Sequence, residues 1–203
     1  MSDRGGRAIL MDRDGTVCDE VGYVNHESRI RLLPRSAAAI RLARESGFKV
    51  VVVTNQAGVA RGYFTEDLVH RVHDRVREML AAGGAGVDAI YYCPHHPDAG
   101  DGEYRKDCDC RKPRPGMLLR ARDELGIDLA RSYVIGDSMR DIEAGHRVGA
   151  TTVLVLTGYG RGELEYRSDR WKRHPDHIVE DLMDAVEWIL ARDDDASASE
   201  VRR

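Results

Sequence analysis

The segment Ala8-Ile9-Leu10-Met11-Asp12-Arg13-Asp14-Gly15-Thr16 decides the fold. Four apolar residues run straight into two aspartates one residue apart, and Gly-Thr follows. The apolar run is too short for a helix and reads as a buried parallel strand. Residues i and i+2 of an extended chain point the same way, so Asp12 and Asp14 begin on one side of it. They stand at the C-terminal end of the strand, where open α/β sheets bind ligands, and Gly15 permits a sharp exit turn. Two carboxylates this close repel unless a cation lies beside them. The stretch outlines a divalent-metal and phosphate site.

Strands and helices alternate outward from this segment. The polar loop 18–31 leaves the same strand end; it reads either as substrate-contacting or as a plain connection. Pro34-Arg35-Ser36 opens a helix over 37–45, and Gly47 ends it. The β-branched run 49–54 is a second strand, closing on Thr54-Asn55-Gln56-Ala57-Gly58. A long amphipathic helix over 66–82 carries His70 and His73, read as solvated-face residues with no metal between them. Further strands are expected at 87–92, 132–136 and 151–156, and a short last one at Ile178 and Val179. Helices are expected at 116–125, 140–148 and 182–190. The polar stretch 158–177 gives no reading. The alternation predicts an α/β fold: a Rossmann-like parallel sheet with helices on both faces. It is expected to be one domain over 8–192, with a flexible N-terminus at 1–7 and a disordered tail at 193–203.

Composition narrows the function classes. The chain has 203 residues, enough for one substantial core, and its formal net charge of −4 gives no case for binding nucleic acid or a membrane surface. No apolar stretch approaches the ~20 residues of a membrane span, and residues 1–7 lack the apolar core of a signal peptide. Three of the four cysteines cluster at 93, 108 and 110, unlike a disulfide framework, so a reducing cytoplasm is expected. Cys93-Pro94-His95-His96-Pro97 and Cys108-Asp109-Cys110 offer thiols and imidazoles suited to tetrahedral, structural Zn²⁺. The alternative is a mobile loop with free thiols. Cys18 reads as an ordinary buried or half-buried thiol.

Four polar strand ends, in order, carry a resemblance. DRDGT at 12–16, Thr54, Lys112 and GDSMRD at 136–141 resemble the four motifs of the haloacid dehalogenase superfamily of aspartate-nucleophile phosphohydrolases. YYCPHHP, CDCRKPRPGM and TNQAGVARGYF further resemble the D-glycero-D-manno-heptose 1,7-bisphosphate 7-phosphatases, capless members with a zinc loop. The resemblance implies Asp12 as nucleophile, Asp14 as general acid and base, and Thr54 and Lys112 as holders of the phosphoryl oxygens. It implies Mg²⁺ on the Asp12 and Asp137 side chains and the Asp14 carbonyl, with Asp141 behind them, and Zn²⁺ on Cys93, His95, Cys108 and Cys110. It implies a substrate site lined by Arg13, Glu20, Val21, Gly22, Tyr23, Asn55, Gln56, Ala57, Arg111 and Ser138.

Two positions depart from the family pattern, Cys18 and Val21, and both bear on which sugar is taken. The implied activity is Mg²⁺-dependent removal of the 7-phosphate from the heptose bisphosphate, by a monomer with no nucleic-acid or membrane partner. Its nearest rival is histidinol-phosphate phosphatase. Arg111 beside Lys112 favours a substrate with a second anionic group, because a guanidinium suits phosphate better than an amino-alcohol cation. A rival from another class is a non-catalytic zinc-loop interaction module, against which the complete catalytic quartet argues.

Overall fold

The computed structural model describes residues 5–201. Six strands form one parallel sheet: β1 (Ala8–Met11), β2 (Lys49–Asn55), β3 (Ala89–Cys93), β4 (Tyr133–Gly136), β5 (Thr151–Val155) and β6 (His177–Val179). Their order is β3-β2-β1-β4-β5-β6, so the chain works outward from β1 in one direction, then returns to its other side. The reversal falls between β1 and β4, which pair from Ile9–Tyr133 to Met11–Ile135. The crevice beyond the strand ends at such a switch point is the expected ligand site.

All four residues of β1 are buried. Ile9 and Met11 join a core on one face, with Ile40 of α1 (Ser36–Glu45), Val72 and Leu80 of α2 (Glu66–Ala82) and Ile189 of α6 (Leu182–Val201). Ala8 and Leu10 enter the opposite core, with Leu118 and Ala121 of α3 (Gly116–Leu125) and Ala144 of α4 (Met139–Arg147). Burial on both faces explains why the strand reads as a continuous apolar run rather than an alternation. Truncating Leu10 to Ala would cost about 2–5 kcal/mol, the usual range for a core leucine.

One unread stretch is filled and three expectations need correction. The stretch 158–177 holds a helix, α5 (Gly160–Arg167), and a 3-10 turn at Ser168–Arg170. Helix α6 continues through residue 193 to Val201, into the stretch read as a tail. The run after Leu190 contains neither Gly nor Pro, and an established helix propagates at little cost through such residues. At the other end, Gly6 bridges Ile127 and Arg7 pairs with Asp193, so residues 6–7 are held by backbone and charge rather than free. Residues 1–4 and 202–203, also read as flexible ends, lie outside the described residues. His73 is not on a solvated face: it is 3% exposed and packs edge-on against Tyr92.

Candidate active site and thiol loop

Asp12 follows β1 directly, its backbone N–H donating to Ile135 O at 3.0 Å, so the β1–β4 pairing carries on one residue past the strand. Asp137 directly follows β4, the neighbouring strand. Asp12, Asp137 and Asp141 bring carboxylate oxygens within 4.8 Å of one another. Lys112, 3% exposed, reaches into this group: its Nζ lies 2.9 Å from Asp12 Oδ1 and 2.6 Å from Asp141 Oδ1, and it donates to Val53 O at 2.6 Å. Burial opposes the lysine's charge, but the two aspartates outweigh it and hold its pKa above the ordinary lysine value.

One lysine does not balance three carboxylates. Burial pushes the Asp12 carboxyl up to about 7, with Lys112 pulling it down and Asp141 and Asp14 pushing it further up. Asp137 is pushed up to about 8 by burial first, then by Asp12 and Asp141. A divalent cation bound by hard oxygens would remove that repulsion, so the donor set fits Mg²⁺. Two glycines make the close approach possible. A Cβ on Gly15 would sit 2.0 Å from Asp137 Oδ2, and one on Gly158 2.1 Å from it, with both residues at positive φ. The Tyr159 N–H donates to that same Oδ2 at 2.8 Å.

Asp14 is clamped from the side. Arg13 donates to both its oxygens, Nε to Oδ1 at 3.0 Å and Nη2 to Oδ2 at 2.8 Å, while Gln56 Nε2 donates to Oδ2 at 2.9 Å and to Thr54 Oγ1 at 2.9 Å. Arg13 itself is 1% exposed. Its guanidinium is turned to Asp14, and Arg13 is not among the residues lining the cavity. Strand alternation already carried the signal, since a residue between two cavity-facing aspartates points the other way. Asn55 grips the backbone of Lys112 at both ends, donating from Nδ2 to Lys112 O and accepting from Lys112 N–H at Oδ1, each at 3.1 Å.

The cavity above these groups brings together Asp12, Asp14, Thr54, Lys112 and Asp137. Glu20, Gly22, Tyr23, Asn55, Gln56, Ala57 and Ser138 also line it, so loop 18–31 does reach the site. Val21 does not: it packs against the core on the β1 side. Arg111 also stands outside the lining, half-buried, with Nη1 donating to His95 O at 3.2 Å. Sequence reading missed Phe64, Arg140 and Tyr159, all on the cavity wall. Arg140 sits inside the quoted GDSMRD motif and was legible there; Tyr159 opens the stretch that gave no reading.

Beside the site, β3 ends in Cys93 and the loop after it closes on itself. Cys93 Sγ lies 3.1 Å from Cys110 Sγ and 3.5 Å from Cys108 Sγ, and Cys108 and Cys110 are 3.2 Å apart. His95 Nδ1 lies 3.3 Å from Cys110 Sγ and 3.8 Å from Cys93 Sγ. Hydrogen bonds from Cys93 first, and also from Cys108 and His95, draw the Cys110 thiol down to about 5. Three sulfurs and one imidazole nitrogen facing a common centre fit tetrahedral Zn²⁺ with no position left open. His96 stays out of this set, near Arg61. The fourth cysteine, Cys18, is buried and its thiol is pushed up to about 12, chiefly by that burial.

Comparison with known proteins agrees with this geometry. A family model described as "HAD-hyrolase-like" matches residues 109–185. The chain is 41% identical over 184 residues to a D-glycero-beta-D-manno-heptose-1,7-bisphosphate 7-phosphatase of Pasteurella multocida, covering 90% of this chain and 96% of that one. It is 46% identical over 152 residues to the enzyme of that name from Escherichia coli (strain K12), covering 74% and 80%. Among solved structures, the D,D-heptose 1,7-bisphosphate phosphatase of B. bronchiseptica, complexed with magnesium and phosphate, superposes with a TM-score of 0.81 at 36% identity. That match covers 92% of this chain and 99% of the other.

Proposed function

The chain belongs to the D-glycero-D-manno-heptose-1,7-bisphosphate 7-phosphatase family, and we propose on that premise that it hydrolyses the 7-phosphate of the heptose 1,7-bisphosphate to give heptose 1-phosphate. One observation carries the reading: Asp12, Asp14, Lys112 and Asp137 meet in one cavity at the sheet's switch point. Asp12 Oδ1 is engaged by Lys112 Nζ and by the Arg13 N–H at 2.7 Å, which leaves Oδ2 free as the nucleophile. Its lone pair attacks phosphorus, the bond from phosphorus to the sugar O7 breaks, and Asp14 gives that oxygen its proton. Water then attacks the aspartyl-phosphate. Asp14 takes the water's proton, and phosphate leaves with Asp12 restored.

Thr54 and Lys112 hold the phosphoryl oxygens through both steps, and Asn55 and Gln56 keep those two groups in place. The Asp12 and Asp137 carboxylates with the Asp14 carbonyl would hold Mg²⁺, which would supply charge stabilisation for the transferring phosphoryl group. Asp141 holds Lys112 rather than substrate. Cys93, His95, Cys108 and Cys110 would hold Zn²⁺ as a structural ion, bracing the segment leading from Cys110 into Lys112. Cysteines gathered as metal ligands rather than paired in disulfides support a cytoplasmic setting.

The test is phosphate release from the 1,7-bisphosphate, with histidinol phosphate in parallel, each with Mg²⁺ and with EDTA. Release from the bisphosphate that EDTA stops and added Mg²⁺ restores is expected. Faster release from histidinol phosphate would overturn the substrate assignment, and no release from either would overturn the phosphatase reading.

A further inference from the structure

Burying a guanidinium costs free energy unless a partner offsets it. Arg13 is fully buried, and among the described residues its side chain forms an ion pair with a single carboxylate, that of Asp14. Nε donates to Oδ1 at 3.0 Å and Nη2 to Oδ2 at 2.8 Å, while Nη1, also buried, has no hydrogen-bond partner among the described residues. Paired donors of this kind fix the plane of the carboxylate as well as its position. Arg13 is anchored in turn by its main chain. Its carbonyl accepts from the Val17 N–H at 2.9 Å and the Cys18 N–H at 2.8 Å, and its own N–H donates to Asp12 Oδ1 at 2.7 Å. One residue grips the nucleophile through its main chain and Asp14 through its side chain.

Each carboxylate oxygen has two lone pairs. On Asp14, Oδ2 accepts from Arg13 Nη2 and from Gln56 Nε2, so both of its lone pairs are engaged. Oδ1 accepts from Arg13 Nε alone, which leaves it one lone pair open. Asp14 lines the cavity and is only partly buried.

We propose that Arg13 is the positioning residue for proton transfer: together with Gln56 it presents Asp14 Oδ1 to the leaving oxygen and keeps Oδ2 out of the chemistry. This rests on the acid and base role given to Asp14 above, and adds to it the atom that carries the proton and the group that aims it. In the first step the proton passes from Oδ1 to the sugar O7 as the bond from O7 to phosphorus breaks. In the second, the same Oδ1 takes a proton from water as the water oxygen bonds to phosphorus and the bond from Asp12 to phosphorus breaks. Oδ2 stays on Arg13 and Gln56 throughout, so the carboxyl keeps one orientation for both steps. A lysine at position 13 would keep the charge and lose the paired donors.

The test varies the leaving group. First-turnover product release with Mg²⁺ is measured by rapid quench for the heptose 1,7-bisphosphate, phenyl phosphate and 4-nitrophenyl phosphate, in wild type, Arg13→Lys and Arg13→Gln. Nitrophenolate leaves without a proton, whereas the sugar oxygen needs one. Both variants should slow the bisphosphate by about a hundredfold, the order expected for ~1 Å misplacement of Asp14. Phenyl phosphate should slow less, and 4-nitrophenyl phosphate by under about threefold. Equal loss on all three would mean that Arg13 only supports the fold or balances charge, and no loss on the bisphosphate would mean that Asp14 needs no aiming; either result overturns the proposal. Wild-type crystals grown with Mg²⁺ and orthovanadate give a second reading that does not depend on the variants folding. Asp14 Oδ1 should lie within hydrogen-bond reach of the apical vanadate oxygen while Oδ2 stays on Arg13. Oδ2 in that place, or Asp14 released from Arg13, would overturn the proposal. Wild type that hydrolyses the aryl phosphates and not the bisphosphate would remove the substrate assignment alone, and the contrast between the two aryl substrates would then decide the role of Arg13.

Discussion

The two ligand clusters at the C-terminal end of the sheet lie close together and are built on opposite logic. The carboxylate cluster uses hard oxygens from two adjacent strand ends, admits Lys112 among them and opens onto a cavity. The thiol cluster uses three sulfurs and a nitrogen from one loop, and its donors face only each other. A site meant to bind substrate keeps coordination positions and lone pairs free. A site meant to hold a loop uses them all. The contrast separates what performs chemistry from what holds the performers in place.

The largest effect should come from breaking the open cluster. Asp12→Asn preserves shape and removes the nucleophilic charge, so turnover should fall by at least about four orders of magnitude with the circular dichroism unchanged. Asp14→Asn should be as slow with a sugar phosphate yet accumulate phosphorylated Asp12 from an aryl phosphate, whose leaving group needs no proton. Intact-mass spectrometry after a rapid quench reads that adduct, and its absence would mean that Asp14 does more than move protons.

An intermediate effect should come from the closed cluster. Brief EDTA treatment should strip Mg²⁺ and leave about one Zn²⁺ per chain, measured by elemental analysis. Cys110→Ser should lower zinc content and cut kcat/KM by about a hundredfold, the order expected for ~1 Å misplacement of Lys112 and Arg111. Zinc-free protein with full activity would erase the distinction between the two clusters.

The smallest effect tests what lies between them. His73 packs against Tyr92 on the thiol-loop side and feels Arg13 on the catalytic side; burial, then Arg13, draws its pKa down to about 2. Its folded value is below its unfolded value near 6.5, so its contribution is complete above pH 6.5 and is lost as pH falls below it. Urea unfolding at pH 7.5 and 5.0 should show a stability loss in wild type about 2 kcal/mol larger than in His73→Leu, at about 1.4 kcal/mol per pH unit. Equal losses would mean that His73 is solvated after all.

Legibility in the sequence followed the range of the interactions. The strand-and-helix alternation was readable because hydrophobic periodicity is local, and β1 and β2 emerge within a residue of their expected ends. Asp12, Asp14 and Asp137 were readable because each stands where a strand runs out. His73 was misassigned because its burial depends on Tyr92, contributed by a strand that follows 16 residues later. Helix α5 escaped because it is short and carries few apolar residues, leaving little periodicity to detect.

By itself, the sequence determined the chemical types present and their local spacing: carboxylates at strand ends, thiols paired with histidines in one loop, and glycines at the turns between. Only the tertiary structure decided which groups share a proton, a charge or a cation. Lys112 lies between Asp12 and Asp141, and Gly158 closes on Asp137. The physical reason is that side-chain direction along a strand or helix follows a fixed local period. Contacts between segments far apart in the chain depend instead on strand order, and that is set by packing both faces of one sheet at once.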